Sequence, residues 1–339
     1  MKRITIKDIA KELGLSVSTI SRALNGSSQI SEKVKAEVQE FAKANNYKAN
    51  LKAKSLRLKK TQSIALILPE INAFFSPELI YGVNAAATNE AYSVIIFQTE
   101  NQFEKEVQLL DYALNLDVDG ILLSVSEETV QTDHIKKIMD IGIPVLLIDK
   151  LSESPYLHGL SINGYEAAFK ATQFLINKGH KKIIGIFGNS ALMMTKQRQK
   201  GFEHALLSFD SKEIIGRSFQ IDQILQLQRE IDPILEECND FTAIFSMSDE
   251  LMVYLHHELM RRNINIPQEI SLISISDGFA PYYLYPNITH IHHSGFEVGY
   301  KAFQMLLEGI KTTNKGKNWE PFTEMLKTKL CELDSVKQV

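Results

Sequence analysis

Cysteine is scarce in this chain, and no segment is long and apolar enough to span a membrane. The two cysteines, Cys238 and Cys331, lie far apart without a C-x-x-C spacing. We therefore expect neither a disulfide framework nor a structural zinc site, and both thiols should be inert. No run of about 18 uncharged apolar residues occurs, and no apolar stretch follows a basic N-terminal flank, so we expect a cytoplasmic protein.

Motifs that carry enzymatic chemistry are also missing. The sequence has no P-loop, no G-x-S-x-G and no H-E-x-x-H. The run His290 to His293 would place His290 and His292 on one strand face, but no acidic or thiol residue adjoins them to complete a metal site. We expect no catalytic residue, no metal and no cofactor. An enzyme on a doubly wound sheet is an alternative that an activity assay would reveal.

Positive charge is concentrated at the N-terminal end. The overall composition, 44% hydrophobic and 23% charged, is typical of a globular protein of two or three domains. Residues 1–60 hold 14 Lys and Arg against 5 Asp and Glu, whereas the remaining residues hold 23 basic and 36 acidic side chains. A basic head on an acidic body indicates that the head binds a polyanion, although a solvated lysine-rich surface would have the same composition.

The basic head has the pattern of three helices. In TIKDIAKELG, apolar residues recur at i, i+3, i+4 and i+7, which predicts a helix that Gly14 ends. A second helix is predicted after an N-cap at Ser16 and ends at Asn25-Gly26, and a third begins after Ser31. The residues predicted to be buried are Ile6, Ile9, Ala10, Leu13, Ile20, Ala23, Leu24, Val34, Val38 and Phe41.

Two short helices joined by a tight turn predict a helix-turn-helix within residues 1–49. Its second helix would enter the major groove, where small hydroxyl side chains permit a close approach and Arg22 can donate two hydrogen bonds to a guanine. A three-helix surface domain without a ligand is the alternative. A single recognition helix offers few contacts, so we expect a homodimer that reads an inverted repeat with half-sites about 10 base pairs apart. No leucine heptads follow the last predicted strand, near 322–334, so no tail-built tetramer is expected.

Residues 50–60 alternate basic side chains with leucine and alanine. A helix this short and cationic should be marginal in water, but DNA could neutralise it and accept a leucine wedge in the minor groove. A flexible linker between domains is the alternative.

The body predicts an α/β core of doubly wound parallel sheets. Near-continuous apolar runs alternate with helical segments of 12 to 18 residues, which indicates parallel strands covered on both faces. The length favours two similar lobes, the second beginning near Ser161. The predicted strands are SIALILP (63–69), SVIIFQ (93–98), DGILLSV (119–125), PVLLID (144–149), KIIGIFG (182–188), TAIFSM (242–247) and ISLISI (270–275).

These motifs resemble the lactose-repressor (LacI/GalR) family of bacterial transcription regulators. The similarity runs through TIKDIAKELGLSVSTISRALNG, ISEKVKAEVQEFAKANNYKAN, KSLRLKKTQSIALILP, VDGILLS, IPVLLID, KGHKKIIGIFG, RQKGFEHAL, SDELM and NINIPQEISLISISD. It implies a small all-α head (1–49), a hinge helix (50–60) and a two-lobed core (61–339) like the type I periplasmic binding proteins. The first lobe would span about 61–160 plus 292–320, and the second about 161–290 plus 321–334.

The resemblance also implies two sites. Val17, Ser18 and Arg22 would read bases, and Leu56 would be the minor-groove wedge. The whole predicted DNA-binding set is Thr5, Ser16, Val17, Ser18, Thr19, Ser21, Arg22, Asn25, Asn50, Ala53, Lys54 and Leu56. The predicted effector-binding set is Phe75, Ser76, Ser124, Asp149, Asn163, Arg198, Phe219, Ser248, Ser276, Asp277 and His293.

The family implies a small effector, often a sugar, that modulates the affinity of a homodimer for its operator, the target DNA sequence. Arg198 and Asp149 could form charge-assisted hydrogen bonds with sugar hydroxyls, and Phe75 or Phe219 could stack on the sugar ring. The chain has Asn163-Gly164 where many members have Asp-Asn, and Ser276-Asp277 where many have Asp-Asp or Asp-Asn. Two acidic acceptors for sugar hydroxyls are thus weakened or displaced, which argues against a simple neutral hexose and leaves an anionic or amino-bearing ligand open. A periplasmic-type ligand-binding protein without a DNA role is the second reading, which the basic head disfavours.

Overall fold

The computed structural model describes residues 4–45, 47, 61–72, 74–151, 154–209, 213–221, 224–237 and 239–339, with the backbone alone at 224–228. Its contacts divide the chain into two compact units, Met1–Thr61 and Gln62–Val339, so the division falls one residue after the predicted start of the core. The predicted hinge at 50–60, with Asn50, Ala53, Lys54 and Leu56, lies outside the described residues, as does Cys238.

The N-terminal unit contains helices α1 (Ile6–Glu12), α2 (Val17–Leu24) and α3 (Glu32–Ala44). This confirms the predicted order of helices in the head. Glycines follow the first two helices: Gly14 and Gly26 have φ angles of +64° and +69°, a left-handed conformation that residues with a side chain adopt at a cost.

The core of the N-terminal unit is small. Of the ten residues predicted to be buried, five are buried, namely Ile9, Ala10, Ile20, Ala23 and Val38, and Ala42 joins them. The other five, Ile6, Leu13, Leu24, Val34 and Phe41, are half-buried around this cluster. Three short helices enclose too little volume to cover a second ring of side chains completely.

The second unit is built from alternating strands and helices. In chain order they are β1 (Ser63–Leu68), α4 (Phe75–Asn89), β2 (Ser93–Gln98), α5 (Phe103–Asn115), β3 (Gly120–Leu123), α6 (Asp133–Asp140), β4 (Val145–Ile148), β5 (His158–Ile162), α7 (Gly164–Asn177), β6 (Lys182–Phe187), α8 (Met193–Leu207), β7 (Ile215–Gln220), α9 (Ile224–Glu237), β8 (Ala243–Ser246), α10 (Asp249–Arg261), β9 (Ser271–Ser276), α11 (Ala280–Tyr283), β10 (Thr289–His292), α12 (Gly295–Thr313), β11 (Thr323–Leu326) and β12 (Lys329–Cys331).

These elements form two lobes, each around one six-stranded sheet. The strand order is β11-β5-β4-β3-β1-β2 in the first lobe and β12-β10-β9-β8-β6-β7 in the second. Strand β12 runs antiparallel to β10, and the other pairings are parallel. In both sheets the second strand of the lobe is added on one side of the first strand and the third strand on the other side. Where the strand order reverses in this way, a crevice opens at the carboxyl ends of the strands. All seven predicted apolar strands form.

The lobe boundaries differ from the prediction. Strand β5 pairs with β4 in the first sheet, so the second lobe begins with α7 rather than at Ser161. The single strand predicted near 322–334 is two strands, and β11 pairs with β5 in the first lobe, not in the second. Strand β10, up to His292, belongs to the second sheet. The edge strands β7, β11 and β12 have one neighbouring strand each and lack the long apolar runs by which buried strands are found. Strand β5 lies between β11 and β4 but is short and also lacks such a run.

Glycines allow close helix packing in both lobes. A Cβ atom on Gly299 of α12 would lie 2.1 Å from the carbonyl oxygen of Leu79 on α4, and one on Gly82 would lie 2.1 Å from that of Phe296. In the second lobe a Cβ on Gly201 of α8 would lie 2.2 Å from the Tyr165 carbonyl oxygen. The backbones therefore touch, which fixes α8 against its neighbour. No helix among the described residues has the length and hydropathy to cross a bilayer.

Candidate functional sites

The exposed face of α2 carries the three predicted base readers. Val17 is 42% exposed, and Ser18 and Arg22 are exposed beside it. Ile20 and Ala23 are fully buried on the opposite face. A helix with this division presents its first two turns to a partner while its other face holds it on the head.

The side chains of three other predicted DNA contacts, Thr5, Ser16 and Asn25, stabilise the head itself. Thr5 caps α1 through a capping box with Asp8, in which the Thr5 amide donates to the Asp8 carboxylate over 2.8 Å. The Oγ of Ser16 accepts from the Thr19 amide over 3.1 Å and caps α2. At the far end of α2, the side-chain amide of Asn25 donates to the Ser21 carbonyl over 2.7 Å.

A cavity of about 300 Å³ lies between the two lobes of the core. It opens at the carboxyl ends of parallel strands, where sheets of this kind bind ligands. Seven of the predicted effector residues line it: Phe75, Ser76, Ser124, Asp149, Arg198, Ser248 and His293. Ser124 follows β3, Asp149 follows β4, and Ser248 is the N-cap of α10, so strand ends from both lobes supply the walls.

The remaining four predicted effector residues do not line this cavity, and their role in effector binding stays a prediction. Asn163 caps α7 by accepting from the Glu166 amide over 3.0 Å. Phe219, on edge strand β7, packs on the hydrophobic core of the second lobe. Ser276 and Asp277 are buried behind the cavity wall.

Ser276 and Asp277 donate hydrogen bonds to Asp249, an acidic residue outside the predicted effector set. The Ser276 hydroxyl donates to Asp249 Oδ1 over 2.5 Å, and the Asp277 amide donates to Asp249 Oδ2 over 3.0 Å. Asp249 lines the cavity in their place. Burial raises the pKa of Asp249 to about 6. Burial, and then the neighbouring Asp249, raise the pKa of the Asp277 carboxyl to about 8, so Asp277 is mostly protonated at neutral pH.

Arg198 is the buried cation of the cleft. It is only 4% exposed, and its Nη1 donates to the carbonyl oxygen of Met247 over 2.6 Å. Burial lowers its pKa, and the carboxylates of Asp149, Glu250 and Asp249 act against that shift. A guanidinium retains its charge under such conditions, so Arg198 is a fixed positive group that faces several acids.

Asp149 lines the same cavity as Arg198 and has an unusual backbone conformation. Its φ of +61° lies in the left-handed region, which few residues other than glycine adopt and which Asp and Asn adopt more readily than most. Burial raises its pKa, and Lys150 and then Arg198 partly offset that effect. The Asp149 amide donates to the Leu160 carbonyl over 3.0 Å, so the first sheet holds this conformation in place.

Several buried polar atoms in the cavity wall have no hydrogen-bond partner among the described residues. They are Ser124 Oγ, Thr195 Oγ1, Arg198 Nε and His293 Nδ1. Burial lowers the pKa of His293 to about 3, so its ring is neutral at pH 7, and it lies 5.3 Å from the ring of Phe75. Buried polar atoms normally find partners, so this wall is suited to hydrogen bonds with a ligand.

Sequence reasoning missed a polar bridge along the cleft. Lys150 Nζ donates to Glu127 Oε1 over 3.2 Å and to Asn101 Oδ1 over 3.3 Å. From the second lobe, the Asn189 side-chain amide reaches Glu127 Oε2 at 3.5 Å. These residues, like Asp249, come within a few positions of a strand's carboxyl end, and that placement was the signal that could have identified them.

The loop that carries Glu127 is held by hydrogen bonds to Glu106 of α5. The fully buried Glu106 of α5 accepts from the Ser126 amide over 2.6 Å and from the Thr129 hydroxyl over 3.0 Å. His134 Nε2 lies 2.8 Å from the same carboxylate. A carboxylate with three partners is well satisfied, so it can hold the loop after β3 in one conformation.

The histidine run on β10 is separate from the cleft except for its last member. His290 and His292 share a strand face, with ring centroids 5.9 Å apart, and His290 Nδ1 lies 2.9 Å from the Ile288 carbonyl oxygen. Across the described parts of the chain, no three His, Cys, Asp or Glu side chains are placed to hold a metal ion.

These features define a class of protein: a DNA-binding regulator that joins a helix-turn-helix head to a two-lobed ligand-binding core. Residues 5–50 match the family model "Bacterial regulatory proteins, lacI family", and residues 172–336 match "Periplasmic binding protein-like domain". The HTH-type transcriptional repressor PurR of Actinobacillus pleuropneumoniae serotype 3 (strain JL03) is 30% identical over 315 residues, which cover 91% of each chain. The chain belongs to the lacI family of bacterial regulatory proteins.

Two solved structures share the fold. The lac repressor dimer bound to operator and the anti-inducer ONPF superposes with a TM-score of 0.85 at 17% identity, over 99% of this chain and 100% of that one. The CelR–cellobiose complex gives a TM-score of 0.70 at 21% identity, over 98% and 100% of the two chains. The predicted all-α head and two-lobed α/β core are confirmed. The chain is a transcription regulator of this family rather than an enzyme.

Proposed function

We propose that this chain is a cytoplasmic transcriptional repressor whose affinity for its operator changes when a small polyhydroxylated molecule binds between the core lobes. The observation that carries the proposal is the exposed face of α2, where Val17, Ser18 and Arg22 have no part in the head's core. A helix held in this way after a tight turn suits the major groove. A ligand-binding protein without a DNA role would have no use for that face.

The chemistry of the cleft supports a sugar or sugar derivative as effector. The cavity is lined by carboxylates, an arginine, hydroxyls without a hydrogen-bond partner in the described structure, and the ring of Phe75. This combination suits a molecule with polar edges and an apolar face. A further cavity of about 720 Å³ shares Asp149, Lys150 and Arg198 with the first, so there is room for more than one ring. The related regulator CelR was solved with cellobiose.

An exposed aromatic patch supports a homodimer formed through the core. Phe279, Tyr282, Tyr283 and Tyr285 of the second lobe are 45%, 53%, 84% and 87% exposed. Soluble monomers rarely expose such a group of large rings together, whereas interfaces are rich in tyrosine. The related lac repressor binds its operator as a dimer. Light scattering that found a monomer at micromolar concentration with full operator affinity would contradict this part of the proposal.

The DNA-binding role is tested by selection of bound fragments from a random duplex library, followed by gel shift on the selected sequence. We expect an inverted repeat with half-sites about 10 base pairs apart. Arg22→Ala should weaken binding to that site by about 1 to 3 kcal/mol per contact and relax the choice of one base pair per half-site. Lys43→Ala removes one charge from an exposed position at the end of α3 and serves as the control.

The proposal fails if no sequence is enriched or if Arg22→Ala weakens operator and random DNA equally. The predicted hinge at 50–58 stays a prediction, tested by hydrogen exchange with and without operator. Protection that appears only with operator would support folding of this segment on DNA. Protection already present in free protein would show that it is preformed.

A further inference from the structure

The charges that line the cleft between the lobes do not cancel. Among the described residues that line the 300 Å³ cavity, carboxylates outnumber cations by five to two. The carboxylates are Glu70, Glu127, Asp149, Asp249 and Glu250, and the cations are Lys150 and Arg198.

One of the two cations is already engaged. Lys150 pairs with Glu127 at 3.2 Å. The other cation, Arg198, faces Asp149, Asp249 and Glu250, the three carboxylates that act on its pKa, and Lys150 also acts on Asp149. Two cations against five carboxylates leave a surplus of negative charge in the cleft, and one of these acids, Asp249, is only 5% exposed.

The same cavity contains neutral groups that are ready to bind hydroxyls. Ser124, Thr195 and His293 are 2%, 0% and 8% exposed, and each has a polar atom without a hydrogen-bond partner in the described structure. The wall thus combines uncharged donors and acceptors with the acidic surplus, and a ligand that satisfies both must have both hydroxyls and a positive group.

We propose that the effector of this cleft is a small polyhydroxylated molecule that carries a protonated amine, of which an amino sugar is the simplest example. This inference rests on the proposed function and specifies its ligand. A neutral ligand that displaced water would leave the surplus carboxylates buried without a counter-charge, and a phosphorylated sugar would add to the repulsion. A divalent metal is a poorer counter-charge here, because within the described residues no three potential ligands converge.

The test compares matched ligands on the full-length protein by calorimetry. The probes are glucosamine, galactosamine and mannosamine, each beside its parent hexose and the corresponding hexose 6-phosphate. The best amine should bind about tenfold more tightly than its parent hexose, because a hydrogen bond to a charged group is stronger than a neutral one. The phosphate should bind more weakly than the parent.

Two variants locate the effect. Glu250→Gln should reduce the ratio of the two affinities, that of the amine over that of its parent hexose, about tenfold. Glu104→Gln, on the exposed first turn of α5 and outside the cavity, should leave this ratio unchanged. An amine advantage that Glu250→Gln does not reduce would overturn the proposal.

Other outcomes separate this proposal from the proposed function. A parent hexose or phosphate that binds as tightly as the best amine would overturn the amine proposal, as would the absence of binding by every amine at about 10 mM. If such a hexose or phosphate also shifts operator binding in a gel, the proposed function stands without the amine. If the protein binds no specific DNA at all, the proposed function itself fails.

Discussion

Removal of the charge of Arg198 should destabilise the core, and more so at higher pH. In Arg198→Met the apolar stem is retained, while the guanidinium that faces Asp149, Asp249 and Glu250 is lost. Removing one partner from a buried ion pair costs about 3 to 5 kcal/mol, because the other charge stays buried. We expect the lower value, about 3 kcal/mol, because Asp249, whose pKa is already raised to about 6, can relieve the repulsion by binding a proton.

The sign of the pH dependence follows from this carboxyl. Arg198 lowers the pKa of Asp249, so loss of the cation raises that pKa further, and the folded variant keeps a proton on Asp249 over a wider range of pH than the unfolded chain does. The destabilisation should therefore increase between pH 6 and pH 8, as the pH rises past the pKa of about 6 for Asp249.

The measurement is urea and thermal unfolding of Arg198→Met beside Lys200→Ala, which removes an exposed positive charge from the same helix. A loss of about 3 kcal/mol corresponds to a melting temperature lower by roughly 5 to 10 °C, whereas Lys200→Ala should stay within about 0.5 kcal/mol of the parent. Equal stability of the two variants at pH 8, or a loss that does not vary with pH, would refute the electrostatic account of the cleft.

Three further variants test the packing and the buried titratable groups. Because folded Asp277 keeps its proton up to about pH 8, the unfolding free energy should fall as pH rises from 4 towards 8, and Asp277→Asn should flatten that slope in urea titrations at several pH values. His158, stacked on Trp319 at 3.5 Å, has its pKa lowered by burial from 6.5 to about 4, so the unfolding free energy should fall as pH drops through that range, and His158→Phe should remove this acid sensitivity. Gly299→Ala places a methyl group against the Leu79 carbonyl and should cost about 3 kcal/mol in thermal unfolding, whereas Gly316→Ala, which meets no atom, should cost about 1 kcal/mol for its left-handed backbone.

The head could be predicted from sequence almost completely. Its caps at Ser16 and Ser31 and its turn at Gly14 depend on atoms within a few residues along the chain. The strands with uninterrupted apolar runs, among them the edge strand β2, were equally accessible. The pairing of β11 was not: this edge strand is half-exposed, and its partner β5 lies more than 150 residues earlier in the chain.

The cleft was predicted in part. Residues at the carboxyl ends of apolar strands, such as Ser124 and Asp149, could be placed because the doubly wound sheet brings those ends together. Phe219 packs on the core of the second lobe instead of lining the cavity, because the residue pattern of the edge strand β7 does not indicate which of its faces the lobe covers. Asp249 was missed because it lies one position beyond the cap residue Ser248, which was chosen instead.

By itself, the sequence determined the helix-turn-helix head, the alternation of strands and helices, and the separation of a basic head from an acidic body, because each of these depends on local pattern or on composition. Only the tertiary structure decided that Ser276 and Asp277 support Asp249 instead of facing the ligand, and that Arg198 faces three carboxylates. Burial and electrostatic interaction depend on which distant segments pack together, and the desolvation that raises the pKa of Asp277 exists only once both lobes are folded around it.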